Sequence, residues 1–397
     1  MNRTQKRLSI LGLTVLLILF ASVSLYGQNT YYRYVFYLDS VPKLHMLYAP
    51  VGGCCWKDQN EGNSAYPASG SALTMVNHGG GVQLFYIDAN HQIWEILEVE
   101  PSSWITKNVS GATGAPAAVA GSALTGFFDA SGVFTHVFYE GTNGHLYELY
   151  GDSQQVWHFD DPTSLARGAP VAASGSALTS FIDGGVMHVF YLGTNNNVYE
   201  LYWTGGTAWH SDDPTSLAGA PAAGSVGSLT SFVGSGVMHV FYLSSQNVHE
   251  LYWNGVWHTD DPTSLAGAPV DAPGSALTSF VNTSGSGDTG MHVMYLGTNE
   301  HVYALHSVPA WGYFDATAAS GGVPAASGSH LASFQDTVTG GVRLYFIATN
   351  SHVYELYWPS EGAASETDLT VASGAGATAA MGSALAALGG LAMPFAP

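Results

Sequence analysis

Two polar positions recur at a set spacing along an otherwise apolar chain of 397 residues. The pairs are Gln83/Glu95, His136/Glu148, His188/Glu200, His239/Glu250 and Arg343/Glu355, twelve residues apart except His239 and Glu250, which are eleven apart. An even offset across a hairpin puts both side chains on one face, opposite or one diagonal apart. A turn shorter by one residue preserves that pairing at the eleven-residue spacing. Tryptophans follow the acids: Trp157 after Glu148, Trp203 and Trp209 after Glu200, Trp253 and Trp257 after Glu250, Trp311 after Ala304, Trp358 after Glu355. A carboxylate accepts from adjacent hydroxyls, an imidazole or guanidinium donates, and an indole stacks on a C–H face. Together they can hold a sugar. The plainer reading is that each pair is a self-satisfied strand bridge and each indole is core packing. Against the bridge, two positions of the series lose the pair, Tyr34/Met46 and His292/Ala304.

The elements that carry these residues come from a repeat. One string is clearest as Met187-His188-Val189-Phe190-Tyr191-Leu192-Gly193-Thr194-Asn195, continued by Val198-Tyr199-Glu200-Leu201-Tyr202-Trp203. Counterparts begin near Tyr34, Gln83, His136, His239, His292 and Arg343, at steps of 49 to 53 residues. A second string, Gly-Ser-Ala-Leu-Thr-Ser-Phe, recurs at Gly70, Gly121, Gly175, Gly227 (shortened), Gly274, Gly328 and Gly382. Seven copies of both strings in phase predict seven equal units.

Each unit reads as four short strands, for example Ser176 to Phe181, His188 to Leu192, Val198 to Trp203, and a fourth around Trp209 and His210. Gly-Thr-Asn-Asn-Asn makes the hairpin turn. The Asp-Asp-Pro triplets read as turn caps rather than calcium ligands, which need six or more oxygens. These features predict an all-β, seven-bladed β-propeller of four-stranded blades. The repeat begins at a second strand and ends with a lone first strand, Gly382 to Leu388, so the last strand is expected to complete the first blade and close the ring. A solenoid is the alternative, but it would need capping units where these ends complement each other.

Residues 1–27 carry Arg3, Lys6 and Arg7 before an apolar run from Leu8 to Leu25, the layout of a secretory signal cleaved near Gly27. An uncleaved membrane anchor is the alternative. The propeller is expected over 28–388, with 389–397 a frayed tail. Without the signal, six basic residues face 29 acidic ones, a net charge of −23. Such a charge repels nucleic acid and anionic lipid and suits a neutral partner. Cys54 and Cys55 are adjacent and match no metal motif. No nucleophile-and-base arrangement, phosphate loop or paired-histidine metal pattern is present, so neither catalysis nor a cofactor or metal is expected.

Repeat length, the Phe-Tyr-Leu strand, the twelve-residue offset and the aromatic spacing resemble the fucose-specific propeller lectins, the fungal type and its bacterial seven-bladed relatives. The resemblance spans residues 34 to 388. It implies one sugar per groove between adjacent blades, with aromatics supplied by the following blade. His136/Glu148 would then be completed by Trp203 and Trp209, and His188/Glu200 by Trp253 and Trp257. His239/Glu250 would have Trp311, with Ser307 in place of the first indole. Gln83/Glu95 would have Trp157, with Gly151 in that place. Arg343/Glu355 would face Trp56 across the closure. The chain departs from the family by carrying His where Arg is usual in four of the seven copies. Imidazole lacks the permanent bidentate charge of guanidinium, so binding is expected to strengthen as pH falls into the ordinary histidine range.

A secreted, multivalent glycan-binding protein is therefore expected, its acids opening into the clefts, with truncation of Glu200 removing one site at little cost to folding. A protein-interaction scaffold and a glycan-processing enzyme are the alternatives. Blade-by-blade repetition of the polar pair suits equivalent sites better than one asymmetric catalytic centre.

Overall fold

The computed structural model describes residues 31–392, apart from 52–54, 61–65, 79–80, 101–102, 133, 153, 155, 207, 225–227, 283–289, 309 and 360–362. The segment read as a signal lies outside the described residues. Seven four-stranded antiparallel sheets form the chain, and we number them as blades 1 to 7 in chain order. Their innermost strands adjoin one another in sequence, and that of blade 7 adjoins the last strand, which in turn adjoins blade 2. The ring is thereby closed.

That last strand, Leu385–Ala392, is the innermost strand of blade 1 and pairs antiparallel with Tyr31–Leu38. Pairing runs from Tyr37 with Leu385 to Tyr31 with Ala392. Strand structure thus continues four residues past Leu388, into what the sequence suggests is tail, because Gly389 to Ala392 find Arg33 to Tyr31 opposite them.

Blade 4 illustrates why these residues make this unit. Its strands are Leu178–Asp183, Val186–Leu192, Val198–Trp203 and Trp209–Asp212. Phe190 and Tyr191, adjacent on the second strand, point to opposite faces. Phe190 packs into the interface with blade 5 and Tyr191 into the interface with blade 3. The repeated Phe-Tyr therefore feeds both sides of each wedge. Seven apolar clusters result, each shared by two neighbouring blades.

The connections are satisfied locally. Asn196 takes the left-handed conformation of the hairpin turn (φ 62°), which asparagine tolerates. Each Asp-Asp-Pro enters a short helix, such as Pro214–Ala218, whose N-cap Asp213 accepts from the Ser216 amide. Thr215 then accepts from the Val198 amide, tying that helix to the third strand. The Gly-Ala-Pro string supplies an acceptor to the core. The buried Tyr191 hydroxyl donates to the Pro170 carbonyl, and Tyr139 and Tyr242 do the same with Pro116 and Pro221.

Candidate functional site

The polar pairs meet as the spacing predicts. Across the central hairpin of blade 4, His188 lies opposite Tyr202 and Glu200 opposite Phe190, which makes His188 and Glu200 diagonal neighbours. The His188 Nδ1–H donates to Glu200 Oε1 at 2.5 Å. His136 to Glu148 is 2.6 Å and His239 to Glu250 is 2.5 Å. In blade 5 the short turn keeps His239 opposite Tyr252 and Glu250 opposite Phe241, so the eleven-residue spacing changes only the loop. Each imidazole is held in a cross-strand stack. Phe181, His188, Tyr202 and His210 follow one another across the four strands of blade 4 at 5.1, 6.4 and 5.1 Å.

The indoles come from the following blade. Trp209 of blade 4 sets its edge on Phe138 of blade 3, and Trp257 of blade 5 does so on Phe190 of blade 4, both at 6.1 Å. Trp311 meets Phe241 at 6.2 Å and Trp157 meets Phe85 at 5.7 Å. Between blades 3 and 4 a cavity of about 300 Å³ is lined by His136, Glu148, Tyr150 and Asp160 from one side and by Met187, Trp203 and Trp209 from the other. The first sequence-derived set is therefore assembled in one groove. Trp203 and Trp253 are half-buried beside the buried Trp209 and Trp257, and Trp203 and Trp209 belong to the apolar cluster while lining the groove.

The carboxylates are deep. Glu148, Glu200 and Glu250 are only 2–3% exposed, so each pair is also a strand bridge. Burial pushes all three carboxyls above the ordinary range; the hydrogen bond and charge of the imidazole partly offset this, and Asp160, Asp212 and Asp260 add to it. What distinguishes Glu148 from a sealed bridge is the cavity it lines. Only Oε1 is engaged by His136, and Oε2 is not among the sealed, unpartnered polar atoms, whereas His136 Nε2 is. A ligand hydroxyl would find the carboxylate as its acceptor there, with the imidazole turned inward to hold it.

The remaining grooves differ. Between blades 2 and 3, the Gln83 amide donates to Glu95 at 2.7 Å and its carbonyl accepts from Thr135 at 2.6 Å. Burial raises the Glu95 carboxyl, offset by Gln83, Lys107 and Trp157. Between blades 1 and 2, Trp104 packs on Tyr34 and Phe36, and Glu98 hydrogen-bonds the Tyr34 hydroxyl. Between blades 6 and 7, Ala304 replaces the acid and lies opposite Phe314, against which Trp358 packs at 5.8 Å.

At the ring closure, between blades 7 and 1, Glu355 accepts from Arg343 at 2.8 Å, from Tyr345 at 2.8 Å and from Arg33 of blade 1 at 2.9 Å. Arg33 also lies over Trp56, 4.7 Å from its centroid, while Arg343 donates to Asp336 and lies over Tyr357.

Sequence reasoning missed Arg33, Met187, Tyr150 and Asp160. Arg33 and Met187 both immediately precede the opening residue of a second strand, Tyr34 or His188, a position that spacing alone assigns to the opposite face. The available signal was that Arg33 is one of only nine basic residues in the chain.

Solved structures with this architecture include the BP39L lectin from Burkholderia pseudomallei, at 16% identity and a TM-score of 0.67 over 85% of this chain and 96% of that one. The SapL1 lectin in complex with alpha methyl fucoside superposes with a TM-score of 0.53 at 16% identity, covering 79% and 97%. The Aleuria aurantia lectin, described with a six-bladed fold and a novel fucose recognition mode, gives 0.54 at 16% identity over 77% and 96%. The chain shares their β-propeller fold, with seven blades where the Aleuria aurantia lectin has six. No protein-family model matches it, and no curated protein sequence matches it either.

Proposed function

We propose that this protein is a secreted, multivalent carbohydrate-binding protein that holds fucose or a related monosaccharide in grooves between blades, without turning it over. One observation carries the reading. His136, Glu148, Trp203 and Trp209, the set that the family resemblance implies, line a single cavity between blades 3 and 4. The Glu148 carboxylate, held by His136, would accept from sugar hydroxyls, and Trp203 or Trp209 would cover an apolar C–H face. The fold neighbours supply support of a second kind, since those three structures are described as lectins and two of the descriptions name fucose or a fucoside.

A monosaccharide makes few contacts, so single sites are weak. Several sites on one rigid ring raise the effective affinity for a glycan-coated surface by roughly 10² to 10⁴. The charge of −23 without residues 1–27 favours a neutral glycan over a polyanion, and the basic-then-apolar layout of that segment supports export.

Binding of the chain lacking residues 1–27 to a glycan array, with elution from a sugar column by free monosaccharide, tests the proposal. Retention only by protein ligands would favour a scaffold, for which the exposed Leu165, Leu217 and Leu265 on successive short helices would be the contact candidates. Turnover of a chromogenic glycoside would favour an enzyme.

A further inference from the structure

All seven grooves derive from one repeat, yet they differ in whether the chain occupies its own donor set. We infer that ligand binding is confined to three consecutive grooves, between blades 3 and 4, 4 and 5, and 5 and 6, so that the ring meets its partner with a trivalent arc. The inference rests on the carbohydrate reading above and narrows it.

In these three grooves the acid is bonded by one imidazole and by no other side chain among the described residues. The residue that the following blade places at the head of its second strand is uncharged: Met187, Met238 and Met291. Met187 lines the cavity without bonding to the acid, and the other two stand at the same register position.

The same position explains two of the closed grooves. In blade 1 it is Arg33, whose guanidinium reaches across the closure to Glu355, already bonded by Arg343 and Tyr345. The groove is filled by the chain's own cation, in the place where a ligand donor would come. In blade 3 it is Thr135, which takes the carbonyl of Gln83 while the Gln83 amide is spent on Glu95. The other two grooves lack the acid. Met46 and Ala304 stand in its place, buried at 2% and 0% exposure, and Trp104 or the Phe314–Trp358 contact packs there. A ligand entering any of these four would have to break buried polar contacts or open a packed core, whereas the first groove of the arc already holds a cavity beside its acid and the other two repeat its residues.

Soaking crystals of the chain in the methyl glycosides of fucose, galactose and mannose, one at a time, tests the arc directly. Expected is sugar density in the three arc grooves and in no other, with a titration stoichiometry near three per chain. Glu148→Gln, Glu200→Gln and Glu250→Gln should each lower the stoichiometry by one, whereas Glu95→Gln keeps it at three. Near-ultraviolet dichroism confirms the folded ring in each variant. Sugar bound at the ring closure or beside Glu95, or a stoichiometry of five or more, would overturn the arc while leaving the carbohydrate reading standing. Absence of all three sugars from every groove, together with a silent glycan array, would remove both.

Discussion

The imidazole–carboxylate pair is a buried bridge that the proposed function also makes a ligand-binding element, and its burial decides how substitutions behave. The sequence alone suggests that truncating Glu200 costs little stability. With Glu200 3% exposed and bonded to His188, the structure raises that cost. Glu200→Ala should destabilise by about 1–3 kcal/mol, because it leaves a buried imidazole unpaired. Glu200→Gln, which keeps a carbonyl acceptor, should cost less than half as much while still weakening sugar binding. Urea titration of both variants beside the parent separates the two effects.

Asp271 makes a separate case. It stands where four other repeats have Ala118, Ala172, Ala325 and Ala379, and its Oδ1 is buried without a partner. Burial pushes its carboxyl up to about 6. A raised acid favours the folded state only while protonated. Its contribution is intact below the ordinary aspartate range and is lost as pH rises through about 6. Asp271→Ala should therefore stabilise the protein by about 1–2 kcal/mol at pH 7.5, a figure discounted for partial solvation, and by almost nothing at pH 4. Thermal melts at the two pH values check this.

At the scale of the element, the blade is held by small devices that repeat with it. Five of the short helices that follow an outer strand have an Asp at the N-cap, Asp161, Asp213, Asp261, Asp315 and Asp368, and the one in blade 2 has Asn108. Asp213 also accepts from Asn197 Nδ2, which joins the cap to the hairpin turn. Asp213→Ala should cost about 1 kcal/mol, measured by chemical denaturation, and should leave sugar binding unchanged because the cap lines no part of the groove. The hairpin spacing, the Asp-Asp-Pro cap and the Phe-Tyr strand were all legible in the residue order. The first two are local devices whose partners lie within one repeat, and the third shows as a string copied from repeat to repeat. The cross-strand stack of Phe181, His188, Tyr202 and His210 was not, since it needs the register of four strands at once.

At the scale of the molecule, stability depends on the closure. Blade 1 draws its innermost strand from residues 385–392, some 350 residues from its second strand. Ending the chain at Ala384 would leave Tyr31–Leu38 as an open edge, and the expected result is loss of cooperative unfolding with self-association on gel filtration. Arg33→Met should weaken the same joint by about 2–3 kcal/mol, since it removes one of two buried cations from Glu355. Because both partners are buried, added salt should relieve little of that loss.

Residue types and their phase determined, by themselves, the seven-blade count, the four-stranded unit, the closing strand and the His–Glu pairs. All of these follow from periodicity, and a repeat writes its periodicity directly into the chain. Which acid is met by a side chain of a second blade was decided only by tertiary structure. Arg33 and Glu355 lie 322 residues apart, and nothing local in either one's surroundings tells that the guanidinium of one blade fills the cleft of another. Contacts between blades depend on how wedges pack around a ring, and that geometry exists only once the ring is closed.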